Sequence, residues 1–260
     1  MQIELPLPDR GALWAFFLDV DGTLADIAPH PEAVAIADHA RDTLSLLAAG
    51  CGGAVALVSG RAIADIDRLF APLHLPAAGL HGFERRDAAG RITRADVDTG
   101  RLLAVRAGLT AFAAAHPGAL VEDKGLSLAL HYRQAPAAEA DALALAKELE
   151  TEAGGALVLQ RGKMVVELRP AGPDKGTAVA AFMAEPPFAG RRPVFVGDDV
   201  TDEAGFATIN VMDGISIRVG DGTPTCAGYD GASVAGIHDW LAAAAESLAG
   251  EAAAPGNGEP

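Results

Sequence analysis

Cysteine is nearly absent. Cys51 and Cys226 are the two in 260 residues, far apart and without the paired spacing of a zinc site. Neither a disulfide framework nor a thiolate metal centre is expected, and both read as buried apolar thiols. Aromatic residues make up 5% of the chain, so alanine, valine and leucine are left to do most of the packing. Basic residues are scarce as well: 20 lysines and arginines against 35 aspartates and glutamates give a net charge of -15. That balance opposes nucleic acid as a partner, because phosphate backbones need a lysine and arginine surface. It leaves room for a small anionic ligand, which a few cations in a cleft can hold. No apolar run approaches the roughly 20 residues of a membrane span. The opening MQIELPLPDRGALW lacks the basic-then-apolar order of a secretory signal. A cytoplasmic protein with no membrane partner is expected, and residues 248–260 read as a disordered tail.

Half of the chain is hydrophobic, enough for a sizeable core. Short apolar runs at Leu13 to Leu18, Ala54 to Val58, Val194 to Val196 and Ile215 to Val219 read as strands buried on both faces, as in a parallel sheet. Helical stretches at Pro31 to Ala49, Ala62 to Phe70 and Lys175 to Met183 complete an α/β pattern. The middle of the chain differs. Its order is helix (Leu102 to Ala115), two strands (Leu120 to Glu122, Leu126 to Tyr132), helix (Ala137 to Glu150), then two strands (Leu157 to Gln160, Met164 to Leu168) around a turn at Arg161-Gly162-Lys163. The fold class expected is therefore a Rossmann-like parallel-sheet core, residues 1–100 and 172–247, with an α+β unit inserted at 101–171. Turn-rich stretches at 96–100 and 169–173 are candidate hinges.

Polar clusters close three of the core strands: Asp19-Val20-Asp21-Gly22-Thr23, Ser59-Gly60-Arg61 and Gly197-Asp198-Asp199-Val200-Thr201-Asp202. Ligands of open parallel sheets bind outside the carboxyl ends of the strands, so the clusters converge if the strands are neighbours. Asp19 and Asp21, two apart in an extended segment, point to one side. With Asp198 they form a crowd of carboxylates that repel unless a cation intervenes. Hard oxygen donors beside a phosphate suit Mg²⁺. A carboxylate can act as a nucleophile toward phosphorus, a second can move protons, and Ser59 and Lys175 can hold the phosphoryl oxygens.

DVDGTL at 19–24, Ser59, Lys175 and GDDVTD at 197–202 resemble the four motifs of haloacid dehalogenase superfamily phosphatases. GLHG at 79–82, VEDKG at 121–125, SLALHYR at 127–133, VVELRP at 165–170 and GDDVTDE at 197–203 resemble the family of trehalose-6-phosphate phosphatases. The likeness runs from about Leu13 to Leu241. It implies Mg²⁺-dependent hydrolysis of trehalose 6-phosphate, a small-molecule substrate, through an aspartyl phosphate, by an enzyme with a mobile cap; nothing in the sequence demands a dimer, and a monomer is expected. Asp19 would be the nucleophile and Asp21 the general acid and base. Mg²⁺ would be held by Asp19, Asp198 and the backbone carbonyl of Asp21. Asp199 and Asp202 would support the metal or orient Lys175. Ser59 and Lys175 would bind phosphoryl oxygens, and Gly22 and Thr23 would offer backbone amides. In the cap, Glu122, Lys124 and Glu167 match positions that reach sugar hydroxyls. Arg61, His81 and Gly82 sit on core loops that could touch substrate, whereas Arg133 and Arg169 are weaker candidates. His116 and His131 show no metal-type spacing.

Pro173-Asp174 precedes Lys175 where the family usually has asparagine; Asp174 could pair with the lysine or cap its helix. Three other functions use the same residues: a phosphatase of sucrose 6-phosphate or a mannosyl phosphate, a phosphotransferase, and a silent sugar-phosphate sensor.

Overall fold

A computed structural model describes residues 4–9, 11–28, 33–96, 100–162, 164–221 and 224–249. In chain order the first elements are β1 (Trp14–Leu18), α1 (Asp38–Gly50), β2 (Val55–Val58), α2 (Ile63–Phe70), β3 (Ala77–Gly79), β4 (Glu84–Arg86) and β5 (Ile92–Arg94). The inserted elements are α3 (Gly100–Ala115), β6 (Leu120–Asp123), β7 (Leu128–His131), α4 (Glu139–Glu152), β8 (Leu157–Gly162) and β9 (Val165–Pro170). The chain closes with α5 (Lys175–Met183), β10 (Arg192–Gly197), α6 (Glu203–Val211), β11 (Ile215–Val219), β12 (Tyr229–Ala232) and α7 (Val234–Ala249). It divides into two compact units, one of residues up to 92 and from 175 on, the other of residues 93–174.

The larger sheet has the order β12-β11-β10-β1-β2-β3-β4-β5, and its strands from β12 through β4 lie in the first unit. Pairing is parallel from β12 through β3 and turns antiparallel at β3–β4. Every residue of β1 and β2 is buried, as a sheet covered by helices on both faces requires. The scarce aromatics are concentrated where packing is tightest. Phe16, Phe17, Phe70, Phe83, Phe182, Phe188, Phe195 and Phe206 are all fully buried. Phe17 stacks on Phe188 at 5.4 Å, and Phe195 meets Phe206 edge-on at 5.6 Å. Aliphatic side chains therefore do not carry the centre of this core alone. At the opposite end of the sequence from α7, Pro6 and Pro8 accept hydrogen bonds from Trp240 Nε1 (2.9 Å) and Ser247 Oγ (2.8 Å), which moors the first described segment to that helix.

Several expectations need correction. The helix expected from Pro31 starts at Asp38: Val34 and Ile36 are buried but lie in an irregular segment, and Ala37 is extended (φ -65, ψ 147). Arg41 braces that entry by donating to the Ile36 carbonyl at 2.8 Å. Helix α7 runs on to Ala249, so Leu248 and Ala249 belong to it, and the rest of the expected tail lies outside the described residues. Cys51 is buried, whereas Cys226 is exposed, in the loop after β11.

The inserted unit follows the expected order of helices and strands. Its sheet is β6-β7-β9-β8, antiparallel throughout. One face carries Leu128, Leu130, Val166 and Leu168, which pack with Leu102, Val105 and Leu109 of α3 and Ala142, Ala146 and Leu149 of α4. Arg161 and Gly162, expected in the turn, still belong to β8, and Gly162 pairs with Val165; Met164 has φ 64, and residue 163 lies outside the described residues. Of the two candidate hinges, 97–99 lies outside the described residues. The other is braced by Arg169, whose Nη1 donates to the Pro173 carbonyl at 2.9 Å.

Candidate active site at the strand ends

Strands β10, β1 and β2 are consecutive neighbours, so Asp198, Asp19 and Ser59 emerge side by side. Asp19 still belongs to the ladder through its amide, which donates to the Val196 carbonyl at 2.9 Å. The chain then folds into a tight loop: the Val20 carbonyl accepts from Leu24 N (2.9 Å) and Ala25 N (3.0 Å), and Gly22 N donates to Ala25 O at 2.7 Å. Gly22 has φ +82, and a Cβ there would fall 2.0 Å from Asp198 Oδ2. Glycine is thus required twice over, by the backbone and by the carboxylate lying against it. Gly197 plays the matching part at the other strand, where a Cβ would meet Asp202 Cγ at 2.3 Å.

Lys175 is the first residue of α5 and only 3% exposed. Its Nζ donates to Asp19 Oδ1 at 2.8 Å and to Asp202 Oδ1 at 2.6 Å. Asp202 is fully buried, and its other oxygen accepts from the amides of Asp198 and Asp199, both at 3.0 Å. Asp199 caps the single helical turn at Val200–Asp202, accepting from Val200 N at 2.7 Å.

Carboxylate oxygens of Asp19, Asp198 and Asp202 all lie within 4.8 Å of one another. Burial, reinforced by the charges of Asp202 and Asp198, pushes Asp19 well above the usual carboxylate range against the pull of Lys175. Burial and the Asp202 charge push Asp198 up to about 7. For Lys175 burial acts downward, but Asp19 and Asp202 together outweigh it and hold the amine above its ordinary value. Such a crowd is relieved by a divalent cation. Both oxygens of Asp202 are committed to the lysine and two amides, so Asp19 and Asp198 are the carboxylates able to turn to a metal. The donors are all oxygen, which fits a hard cation.

Asp21 stands apart from that trio. Arg61 grips it with both prongs, Nε to Oδ2 and Nη2 to Oδ1, each at 2.7 Å. The Arg61 amide donates to Ser59 Oγ at 3.1 Å, and Ser59 is 1% exposed. The loops after β2 and β3 interlock: His81 N donates to Ser59 O at 2.9 Å and Leu80 N to Arg61 O at 2.9 Å. His81 is buried in the left-handed region (φ 57, ψ 26), followed by Gly82 at φ 106. The Gly22 amide donates to Ala25 O at 2.7 Å, and the Thr23 amide makes a long 3.4 Å bond to Val20 O. The Thr23 side chain is fully buried, its hydroxyl without a partner among the described residues.

The remaining candidates lie in the inserted unit. Register places Glu122 opposite Ala129, Ala129 opposite Glu167, and Glu167 opposite Gln160. These four form one row across the sheet, on the face away from α3 and α4. Lys124 Nζ donates to Glu167 Oε2 at 3.0 Å. His131, given no role by its sequence spacing, pairs through Nε2 with Glu122 Oε2 at 2.8 Å. Arg169 Nε donates to Gln160 Oε1 at 3.2 Å, whereas Arg133 is exposed. His116 is local: it stacks on Phe112 at 4.0 Å and bonds that residue's carbonyl at 2.9 Å. Gln160 and the His131–Glu122 pair escape sequence reasoning because strand register, not spacing along the chain, brings them together.

Known proteins supply a second line of evidence. A phosphatase of the haloalkanoate (HAD) superfamily from Bacteroides thetaiotaomicron shares the fold at a TM-score of 0.62 and 17% identity, covering 91% of this chain and 96% of its own. This is the α/β class that the sheet order and strand-end cluster define. The C-terminal domain of trehalose-6-phosphate phosphatase from C. albicans matches more fully, at a TM-score of 0.83 and 21% identity over 93% of this chain and 98% of that one. In sequence, trehalose-6-phosphate phosphatase of Escherichia coli K12 is 44% identical over 234 residues, 90% of this chain and 87% of its own length. The family model described as trehalose-phosphatase matches residues 17–233. The chain belongs to the trehalose-phosphatase family.

Proposed function

We propose that this enzyme hydrolyses trehalose 6-phosphate to trehalose and phosphate, a step of trehalose biosynthesis, with Asp19 as nucleophile and Mg²⁺ as cofactor. The observation that carries the reading is the buried Lys175–Asp19–Asp198 cluster at adjacent strand ends, within a chain of this family.

Asp19 attacks phosphorus while the bond to the sugar oxygen breaks, and Asp21, which takes up a proton from solvent once Arg61 releases it, gives that proton to the leaving oxygen. Asp21 then takes a proton from water, which attacks the aspartyl phosphate and releases phosphate, returning Asp19 to its carboxylate. Lys175 fixes one oxygen of Asp19 and, with Ser59, offers donors to the phosphoryl oxygens. Arg61 anchors Asp21 before substrate arrives and lets go as Asp21 turns to the sugar oxygen. Mg²⁺, when bound by Asp19, Asp198 and the Asp21 carbonyl, neutralises charge so that an anionic nucleophile can approach an anionic ester. Asp202 holds Lys175 in place, and Asp199 keeps the Asp198 loop in shape. The inserted unit serves as the cap that sets specificity, with Glu122, Lys124 and Glu167 binding the sugar; Arg61, His81 and Gly82 are the candidate substrate contacts of the first unit. We place the enzyme in the cytoplasm as a monomer.

Phosphate release from trehalose 6-phosphate, sucrose 6-phosphate and glucose 6-phosphate, with Mg²⁺ and with a chelator, tests this directly. Mg²⁺-dependent preference for trehalose 6-phosphate is the expected result. Preference for another sugar would discard the cap reading, and silence on all three would discard the hydrolase.

A further inference from the structure

Glutamates that recognise sugar hydroxyls work only if their carboxylates stand still, because rotamer freedom lost on binding weakens it. Two glutamates share the polar row of the inserted sheet, and each is tied to a basic side chain. Glu167 has Lys124 at 3.0 Å, and Glu122 has His131 at 2.8 Å. Ala129 stands between the two glutamates in the row.

Glu122 and His131 are diagonal neighbours. Glu122 faces Ala129 across β6 and β7, and His131 faces Leu120 two positions further along the same face. Their side chains are 31% and 34% exposed, so the pair is neither sealed in the core nor loose on the surface. A carboxylate can only accept, so Nε2 of His131 carries the proton. A bond to a charged acceptor belongs to the stronger class. This bond is the main influence holding the Glu122 carboxyl below the usual range. It occupies Oε2, and Oε1 has no hydrogen-bond partner among the described residues.

We infer that His131 is a positioning residue for sugar recognition, fixing Glu122 through Oε2 so that Oε1 faces a hydroxyl of the substrate. The inference rests on the assignment of Glu122 to the sugar under the proposed function. His131 itself acts through Glu122 and touches neither the phosphate nor the reacting atoms.

The test is steady-state kinetics on trehalose 6-phosphate at saturating Mg²⁺ for Glu122→Ala, His131→Ala, His131→Gln and the double variant Glu122→Ala with His131→Ala. His131→Ala is expected to raise KM about tenfold with kcat within about twofold of the parent. His131→Gln, which keeps an N–H donor at similar reach, is expected to recover most of the loss. The double variant is expected to be no worse than Glu122→Ala alone, since the two residues act as one unit. Losses that add in the double variant would overturn the inference, as would a fall in kcat at unchanged KM. A rise in KM for Glu122→Ala but not for His131→Ala would overturn it while leaving the sugar face intact. An unchanged KM for Glu122→Ala would remove the sugar-face assignment and the inference together.

Discussion

Asp198 carries a raised carboxyl, up to about 7, and the sign of its effect on stability is opposite to that of an ordinary paired aspartate. The folded, metal-free protein holds the Asp198 proton more tightly than the unfolded chain. This group therefore favours the fold at low pH, and the contribution is lost as pH rises from the ordinary value of 3.8 through about 7. A divalent cation binds the ionised form and competes with that proton. Calorimetric titration with Mg²⁺ is expected to show affinity climbing between about pH 5 and about pH 8, and the stabilising effect of Mg²⁺ on Tm is expected to grow over the same range. Affinity independent of pH would contradict the crowded-carboxylate account. Thr23 offers a second test at this scale. Its hydroxyl is buried without a partner among the described residues, so Thr23→Val removes a polar atom that the fold does not satisfy. Chemical denaturation is expected to place the variant within about 1 kcal/mol of the parent or above it; a loss beyond about 2 kcal/mol would reveal a bonded hydroxyl.

Among elements, the loop after β1 and the loop after β10 are fitted to each other at Gly22 and Asp198. Gly22→Ala adds a Cβ 2.0 Å from Asp198 Oδ2 at φ +82, and must displace either the turn or the carboxylate. Mg²⁺ binding and kcat/KM are both expected to fall, the latter at least about a hundredfold, roughly 3 kcal/mol of transition-state stabilisation. Retention of both would mean that Asp198 is not held as described. These glycines also show what the sequence makes legible. β1, β2, β10 and β11 stand out because strands buried on both faces read as unbroken apolar runs. β3 is a three-residue AAG and β4 is ERR, neither of which carries an apolar or alternating pattern. The start of α1 was illegible for a related reason: Val34 and Ile36 are apolar because they are buried, not because they are helical. The catalytic candidates were legible as strand-end clusters. Their partners were not: the Arg61 fork on Asp21 spans 40 positions and the Lys175 bond to Asp19 spans 156, distances closed by tertiary folding.

At the scale of the whole molecule, the chain divides into two compact units. Residues that bear on phosphate chemistry lie in the first, and the polar row offered for the sugar lies in the second. Glu167→Gln should therefore act mainly on recognition. It keeps the shape of a side chain that is 6% exposed and loses the charge that pairs with Lys124. A rise of about tenfold in KM for trehalose 6-phosphate with kcat within about threefold is expected. A collapse of kcat at constant KM would place Glu167 in the chemistry instead.

The central claim is that Asp19, held by Lys175, attacks phosphorus. Its most direct test is the rate of phosphate release from saturating trehalose 6-phosphate by Asp19→Asn in the presence of Mg²⁺. The account predicts a fall of at least about a thousandfold in a protein that remains folded. Turnover near that of the parent would contradict it.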